Sequence, residues 1–338
     1  MLDRGRVIVT GGAGFIGSAL VWGLNRLGVE RILIVDRMDH SEKWRNLAPL
    51  RFEDYVEADD FLDQAGRAPN CFGSIGTVLH LGACSSTTET DSAFLIGNNL
   101  GYSQRIASWS SVVDARFLYA SSAATYGALE GPVSDDLPLA GLRPLNAYAL
   151  SKHLFDRWAE RTGLLRRGVG LKYFNVFGPN EQHKGDMRSM VHRAFCQIRE
   201  TGRVRLFRSL RAEFKDGEQR RDFLYVKDAV AMTLHLAANP SAAGIFNVGS
   251  GVCHTWLDLV SPIFEACGKA PAIEFIDMPE QLRAKYQYHT CAKIERLRDS
   301  GYRNEITDLR AAVADYVTNY LIPDLRLGDE PPVARQTE

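Results

Sequence analysis

Tyr148 and Lys152 stand four residues apart in the segment Tyr148-Ala-Leu-Ser-Lys152. On a helix that spacing sets a phenol and an ammonium on one face. A free phenol titrates at about 10 and is a poor base at neutral pH, but an adjacent cation favours phenolate and lowers that value. The pair therefore suits a reaction in which an alcohol gives up its proton while hydride leaves its carbon. Upstream, Ser121-Ser122 closes the run Arg116 to Ala120, at what would be the carboxyl end of a parallel strand facing a ligand crevice. From there Ser122 can hydrogen-bond an oxygen that alternates between alcohol and ketone. Ala123 and Ala124 follow; a sugar dehydratase needs an acid beside the leaving hydroxyl, so their inert side chains argue against elimination.

Such a step needs a hydride acceptor, and the N-terminal segment offers a place for one. Val7 to Thr10 runs into Gly11-Gly12-Ala13-Gly14-Phe15-Ile16-Gly17 and then a helical stretch. Gly11 permits a tight turn, Gly14 lets backbone approach a pyrophosphate, and Gly17 allows the helix to touch the strand. The helix N-terminus supplies N–H donors and a positive dipole end. Asp36 ends the next apolar run 19 residues after Gly17, placed to accept from an adenosine ribose 2′-hydroxyl. Arg37 and Lys43 carry charge suited to a 2′-phosphate, so the residues leave NAD and NADP open.

The elements that must position these groups alternate. Strands are expected at Val7 to Thr10, Ile32 to Asp36, Tyr55 to Glu57, Thr77 to Leu81, Arg116 to Ser121 and Gly170 to Phe174. Helices are expected at Ser18 to Leu27, about Asp91 to Ser110, and Tyr148 to Arg161. Apolar runs separated by helix-length segments predict an α/β fold, a Rossmann-like doubly wound parallel sheet. Past Asn175 charge density rises through Arg188 to Arg221, with loops around Lys215 to Arg221, before Phe223 to Val226 and Ile245 to Val248 read as strands again. This predicts a dinucleotide-binding domain over 1–174 with a return segment at about 222–260. A smaller, discontinuous α/β substrate domain takes 175–221 and 261–330. Pro331 to Glu338 reads as a polar, frayed end.

At 338 residues, 45% hydrophobic and 24% charged, the chain has material for about two cores. Its net charge of −1 excludes the basic excess of a nucleic-acid binder. Val7 to Leu24 lacks charge for 18 residues, but five of these are glycine, which disfavours a membrane span. Six scattered cysteines without C-x-x-C spacing fit free thiols in a reducing, cytoplasmic setting. His80, His153, His192 and His254 lack metal-ligand spacing and read as structural, so no metal is expected.

These motifs together resemble the extended short-chain dehydrogenase/reductases, the family of nucleotide-sugar epimerases and dehydratases. The likeness runs from Arg6 to about Tyr320. It rests on Gly82-Ala-Cys-Ser-Ser-Thr-Thr-Glu89, Tyr119-Ala-Ser-Ser-Ala-Ala-Thr-Tyr-Gly127, Tyr173-Phe-Asn-Val-Phe-Gly-Pro179, His183-Lys-Gly185, Arg221-Asp-Phe223 and Tyr286-Gln287. The first and fourth point to a subgroup acting on ADP-heptose. The resemblance implies an isomerase that inverts C6 of the heptose by transient oxidation and re-reduction, with tightly held NADP, for lipopolysaccharide core synthesis, in a homo-oligomer, a pentamer by likeness. It implies cofactor contacts at Gly11, Gly14, Phe15, Ile16, Gly17, Asp36, Arg37, Lys43, Ser85, Asn98, Lys152, Val176 and Lys184. It implies sugar-nucleotide contacts at Asn175, Asp186, Arg193, Phe207, Arg221 and Tyr286, with Tyr148 and Lys184 as acid and base beside Ser122 and Lys152. For Lys184 a pyrophosphate clamp, and for Arg221 a salt bridge to Asp222, stand as alternatives; a nucleotide-hexose 4-epimerase or ketoreductase is the alternative activity.

Overall fold

The structure, a computed structural model, describes residues 2, 4–283 and 286–329; the polar end expected at Pro331 to Glu338 lies outside them. The strands are β1 (Arg6–Thr10), β2 (Ile32–Asp36), β3 (Asp54–Glu57), β4 (Ile75–His80), β5 (Arg116–Ser122), β6 (Gly131–Val133), β7 (Val169–Tyr173), β8 (Asn175–Phe177), β9 (Val204–Phe207), β10 (Arg220–Tyr225), β11 (Gly244–Val248), β12 (Cys253–Thr255), β13 (Ile273–Ile276) and β14 (Thr290–Ala292). Seven form one sheet in the order β11-β7-β5-β4-β1-β2-β3, every neighbour parallel. Runs such as Ile32-Leu-Ile-Val35 are buried throughout, as a sheet covered on both faces requires. The expected doubly wound α/β sheet is what the chain forms.

Two apolar clusters cover the two faces. On one, α1 (Phe15–Arg26) crosses the later helix Val226–Ala238 so closely that a Cβ on Gly23 would stand 2.4 Å from Val230. On the other lie α2 (Ala58–Arg67), α3 (Ser92–Leu95), α4 (Tyr102–Val112) and α5 (Ala147–Arg161). Between α3 and α4 the backbone widens into a π-turn at Ile96–Gly101 and stays right-handed helical through it, so the helix expected from about Asp91 to Ser110 forms with a π segment inside it. Asp91 caps its start, accepting from Phe94 N at 2.9 Å.

Beyond β7 the chain passes through Phe174 alone into β8, which pairs with β10, and β10 with β12, in a three-stranded sheet. Of the segment 222–260, only β11 pairs in the large sheet, while Phe223 to Tyr225 pairs with β8. Among the described residues no helix is long and apolar enough to cross a membrane.

Candidate active site

Strand order reverses between β1 and β4, and a parallel sheet opens a crevice at the carboxyl ends of such a pair. Here that crevice widens into a cavity of about 1000 Å³. Its floor is the glycine turn. Gly11 takes φ +67, and a Cβ on Gly17 would stand 2.0 Å from Gly11 O, so both positions need glycine. Gly14 caps α1 with no side-chain hydrogen bond and no acidic residue follows in the first turn. The helix thus offers bare N–H groups and a positive dipole end beside a Cβ-free surface, which fits a dinucleotide pyrophosphate.

Asp36 is turned toward that floor: Oδ2 accepts from Ala13 N at 2.8 Å, and Oδ1 from Arg37 N at 2.8 Å and Lys43 Nζ at 3.2 Å. Lys43 is buried and lies 3.2 Å from Asp39 as well. Gly11, Gly14, Phe15, Ile16, Gly17, Asp36, Lys43, Ser85, Lys152, Val176 and Lys184 all line the cavity. Arg37 and Asn98 do not. The Arg37 guanidinium donates to Asn98 Oδ1 at 2.5 Å and to Asp59 at 2.8 Å, so these two expected cofactor contacts are engaged with each other and with Asp59 on an exposed rim.

The reacting groups face the same space. Asn146 caps α5 by accepting from Ala149 N at 2.8 Å, which fixes Tyr148 and Lys152 in the first turns. Ser122 ends β5 and lines the cavity with Tyr148. The residue types predict a phenol lowered by its neighbouring ammonium; in the structure burial pushes it up, and the nearby Ser122 hydroxyl only partly offsets this. The same burial lowers Lys152 to about 8, because removal from water penalises the charged form of either group. Lys184 sits in the turn Gln182–Met187 with Nζ 5.4 Å from the Phe15 ring centre. Burial lowers it too, opposed by the carboxylate of Glu181.

Asn175, Arg193, Phe207, Arg221 and Tyr286 close the far end of the cavity. Asp186 is exposed and outside its lining, so the structure does not bring this expected contact to the site. The Arg221 guanidinium is buried between Tyr286 and Trp256, 5.0 and 5.7 Å from their ring centres. The alternative salt bridge to Asp222 is not formed. That carboxylate accepts instead from Ser250 N at 2.7 Å, Ser250 Oγ at 2.8 Å, and Gly251 N and Ala292 N at 3.0 Å. Trp256, Arg188, Arg205 and Gln197 also line this end and were not singled out from sequence; the rise in charge from Arg188 to Arg221 was the one signal for the arginines.

A glycine turn at a strand-order reversal, with serine, tyrosine and lysine converging above it, defines a dinucleotide-dependent enzyme that moves hydride at an alcohol carbon. Residues 7–249 match the model of the NAD dependent epimerase/dehydratase family, and the chain belongs to that family. It is 51% identical over 317 residues to an ADP-L-glycero-D-manno-heptose-6-epimerase of Nitratidesulfovibrio vulgaris, covering 93% of this chain and 97% of the relative. A Fusobacterium nucleatum protein of the same name is 43% identical, covering 93% and 98%. Among solved structures, the Helicobacter pylori ADP-L-glycero-D-manno-heptose-6-epimerase superposes with TM-score 0.78 at 25% identity, covering 94% and 96%. A Thermus thermophilus UDP-glucose 4-epimerase in complex with NAD gives 0.74 at 25% identity, covering 93% and 98%. The family resemblance carried by the motifs agrees with all of these.

Proposed function

We propose that the chain is an isomerase that converts ADP-D-glycero-D-manno-heptose to ADP-L-glycero-D-manno-heptose by inverting C6, with bound NADP, for lipopolysaccharide core synthesis. The observation that carries this reading is that Tyr148, Ser122, Lys152 and Lys184 face one cavity whose floor is the glycine turn and whose far end holds Arg221. The curated relatives at 51% and 43% identity support the substrate.

A carbon bearing an ordinary hydroxyl holds its hydrogen too tightly for any side-chain base. A nicotinamide dinucleotide held along the glycine turn and beside Lys152 would supply reversible hydride acceptance at that carbon. This chain's residues manage the accompanying proton and the orientation. Tyr148 Oη, which lines the cavity with Ser122, takes or gives the proton on one face of the carbonyl. Lys184 Nζ does so on the other, since inversion presents hydride to opposite faces in turn and needs a proton-transfer group for each. Ser122 holds the substrate oxygen, and Lys152 supplies positive charge that favours the phenolate. Arg221, sandwiched by rings, offers a fork of donors to the diphosphate. Ala123 and Ala124 place no acid where water would be eliminated.

The NADP reading rests on Lys43. Both oxygens of Asp36 are taken up by Ala13 N, Arg37 N and Lys43, and the buried Lys43 ammonium, shared with Asp39, lines the cavity beside the expected ribose 2′-position. The six free cysteines support a cytoplasmic setting, and the resemblance supports a homo-oligomer. Incubation with ADP-heptose, followed by proton NMR of the C6 configuration, tests the activity, with UDP-galactose as the competing substrate. Inversion of UDP-galactose at C4 without inversion of the heptose refutes it. Mass spectrometry of the dinucleotide released on denaturation should find NADP; NAD refutes the cofactor.

A further inference from the structure

The helix carrying Tyr148 and Lys152 bears one more ionised residue on the same face. Asp156 follows Lys152 by one turn, about 6 Å along the axis, and Tyr148 by two. It is completely buried. Its Oδ1 accepts from Tyr119 Oη at 2.9 Å, and its Oδ2 from Ser121 Oγ at 2.7 Å and Lys172 Nζ at 3.0 Å. Lys172, 1% exposed, also donates to Thr125 Oγ1. Thr125 in turn donates to the backbone carbonyl of Ser122 at 2.7 Å. One unbroken chain of hydrogen bonds therefore runs from the α5 face through β7 to the backbone of Ser122, which lines the cavity with Tyr148.

An ion pair at such depth is weak evidence for stability, since apolar residues of similar volume often serve a core as well. Its members here converge on Ser122 and on the face of Tyr148. We propose that Asp156, with Lys172, is a positioning residue for the reaction: it fixes Ser122 against Tyr148 and sets the charge that Tyr148 and Lys152 feel. This rests on the proton-transfer role given above to Tyr148.

The sign of the effect follows from the groups around the site. Tyr148 and Lys152 face Cys84 and Asp156, and His80 lies near Lys152. Asp156 itself faces Tyr119, Tyr126, Lys172, Lys152, His153 and, through Tyr119, Glu160. His80 is held neutral by burial, at about 3. The Asp156 carboxylate raises both Tyr148 and Lys152. Removing its charge must lower both, moving the acid limb and the alkaline limb of the rate profile toward lower pH together.

The test is the pH dependence of kcat/KM for Asp156→Asn, which removes the carboxylate's charge. If it does not fold, the second variant is Asp156→Asn/Lys172→Met, which leaves no buried ion unpaired. We expect both limbs to move acidward by about half a pH unit or more in the single variant, and in the same direction but less in the double, where loss of the Lys172 cation acts the other way. A residue that merely braced the fold would lower the rate and leave the limbs in place. A parent enzyme that epimerises, beside a folded variant whose limbs superimpose on it, overturns the proposal and leaves the reading of Tyr148 standing. If the parent does not epimerise, the tyrosinate absorbance of residue 148, isolated by difference from Tyr148→Phe, decides. A midpoint lowered in the Asp156 variant supports the proposal, and an unmoved one overturns it.

Discussion

Replacing Gly17 with alanine tests the glycine floor directly. A Cβ there would stand 2.0 Å from Gly11 O, 2.7 Å from Gly11 C and 2.9 Å from Gly12 Cα. All three are backbone atoms, so no side chain can swing away. Ordinary contact begins near 3.4 Å, so the start of α1 and the turn must part by about 1.4 Å, enough to break hydrogen bonds whose useful range ends near 3.2 Å. Losing two or three backbone N–H contacts to a charged pyrophosphate, at about 1.5 kcal/mol each, weakens the dinucleotide by roughly 10² to 10³ in Kd. Overpacking at the turn takes about 1–3 kcal/mol from the fold as well. Gly14→Ala is the comparison for the fold alone, because its Cβ meets only Gly11 O at 3.2 Å and a few tenths of an ångström relieves it; its melt should stay at the parent's while the Cβ still crowds the pyrophosphate. The assay is the cofactor-to-protein ratio after purification, with calorimetric titration of added NADP and a thermal melt. Should Gly17→Ala retain cofactor like the parent and melt with it, the close approach described here is not what the turn is for.

Tyr148→Phe should lower kcat by about 10² to 10⁴, the usual scale for losing a general acid or base, while cofactor content stays at the parent level; turnover within threefold of the parent removes the phenol from the chemistry. Lys152, lowered by burial to about 8, should give kcat/KM an alkaline limb near that pH as its ammonium is lost. Because the unfolded chain holds this proton up to the ordinary lysine value, its contribution to stability should rise between about pH 8 and 10.5; a chemical-denaturation series that moves the other way only for the parent, and not for Lys152→Met, contradicts the burial argument. Arg221→Lys keeps the charge and loses the fork and ring stacking, so KM for the sugar nucleotide should rise about 10- to 100-fold with kcat less affected; an unchanged KM takes Arg221 out of the diphosphate site.

The large sheet was legible because β-branched, fully buried runs such as Val7 to Thr10 and Ile32 to Val35 have few other places to go. The glycine turn was legible because three glycines at that spacing have one physical use. The π segment at Ile96–Gly101 was not, since widening a helix by one residue per turn leaves no mark in apolar periodicity. Nor was the sheet to which Phe223 to Tyr225 belongs: a three-residue buried run is compatible with either layer, and only pairing with β8 decides. At the site, the residues found from sequence belong to contiguous motifs. Trp256 reaches Arg221 from a different segment of chain, on the far side of β12, and no local pattern announces that contact. The lowered phenol expected from its neighbour's charge is a failure of a different kind. Charge proximity can be read from spacing, but depth of burial comes only with the fold.

The passage from β7 through Phe174 into β8 has a mechanical meaning. The Phe174 amide is tied to Val248 O at 3.0 Å, so the large sheet and the small one are continuous backbone across a single anchored residue. In the proposed reaction this tie makes the sugar the moving part: its oxidised carbon swings about a single bond to show its second face, and the anchored strand ends serve as the stator against which it turns.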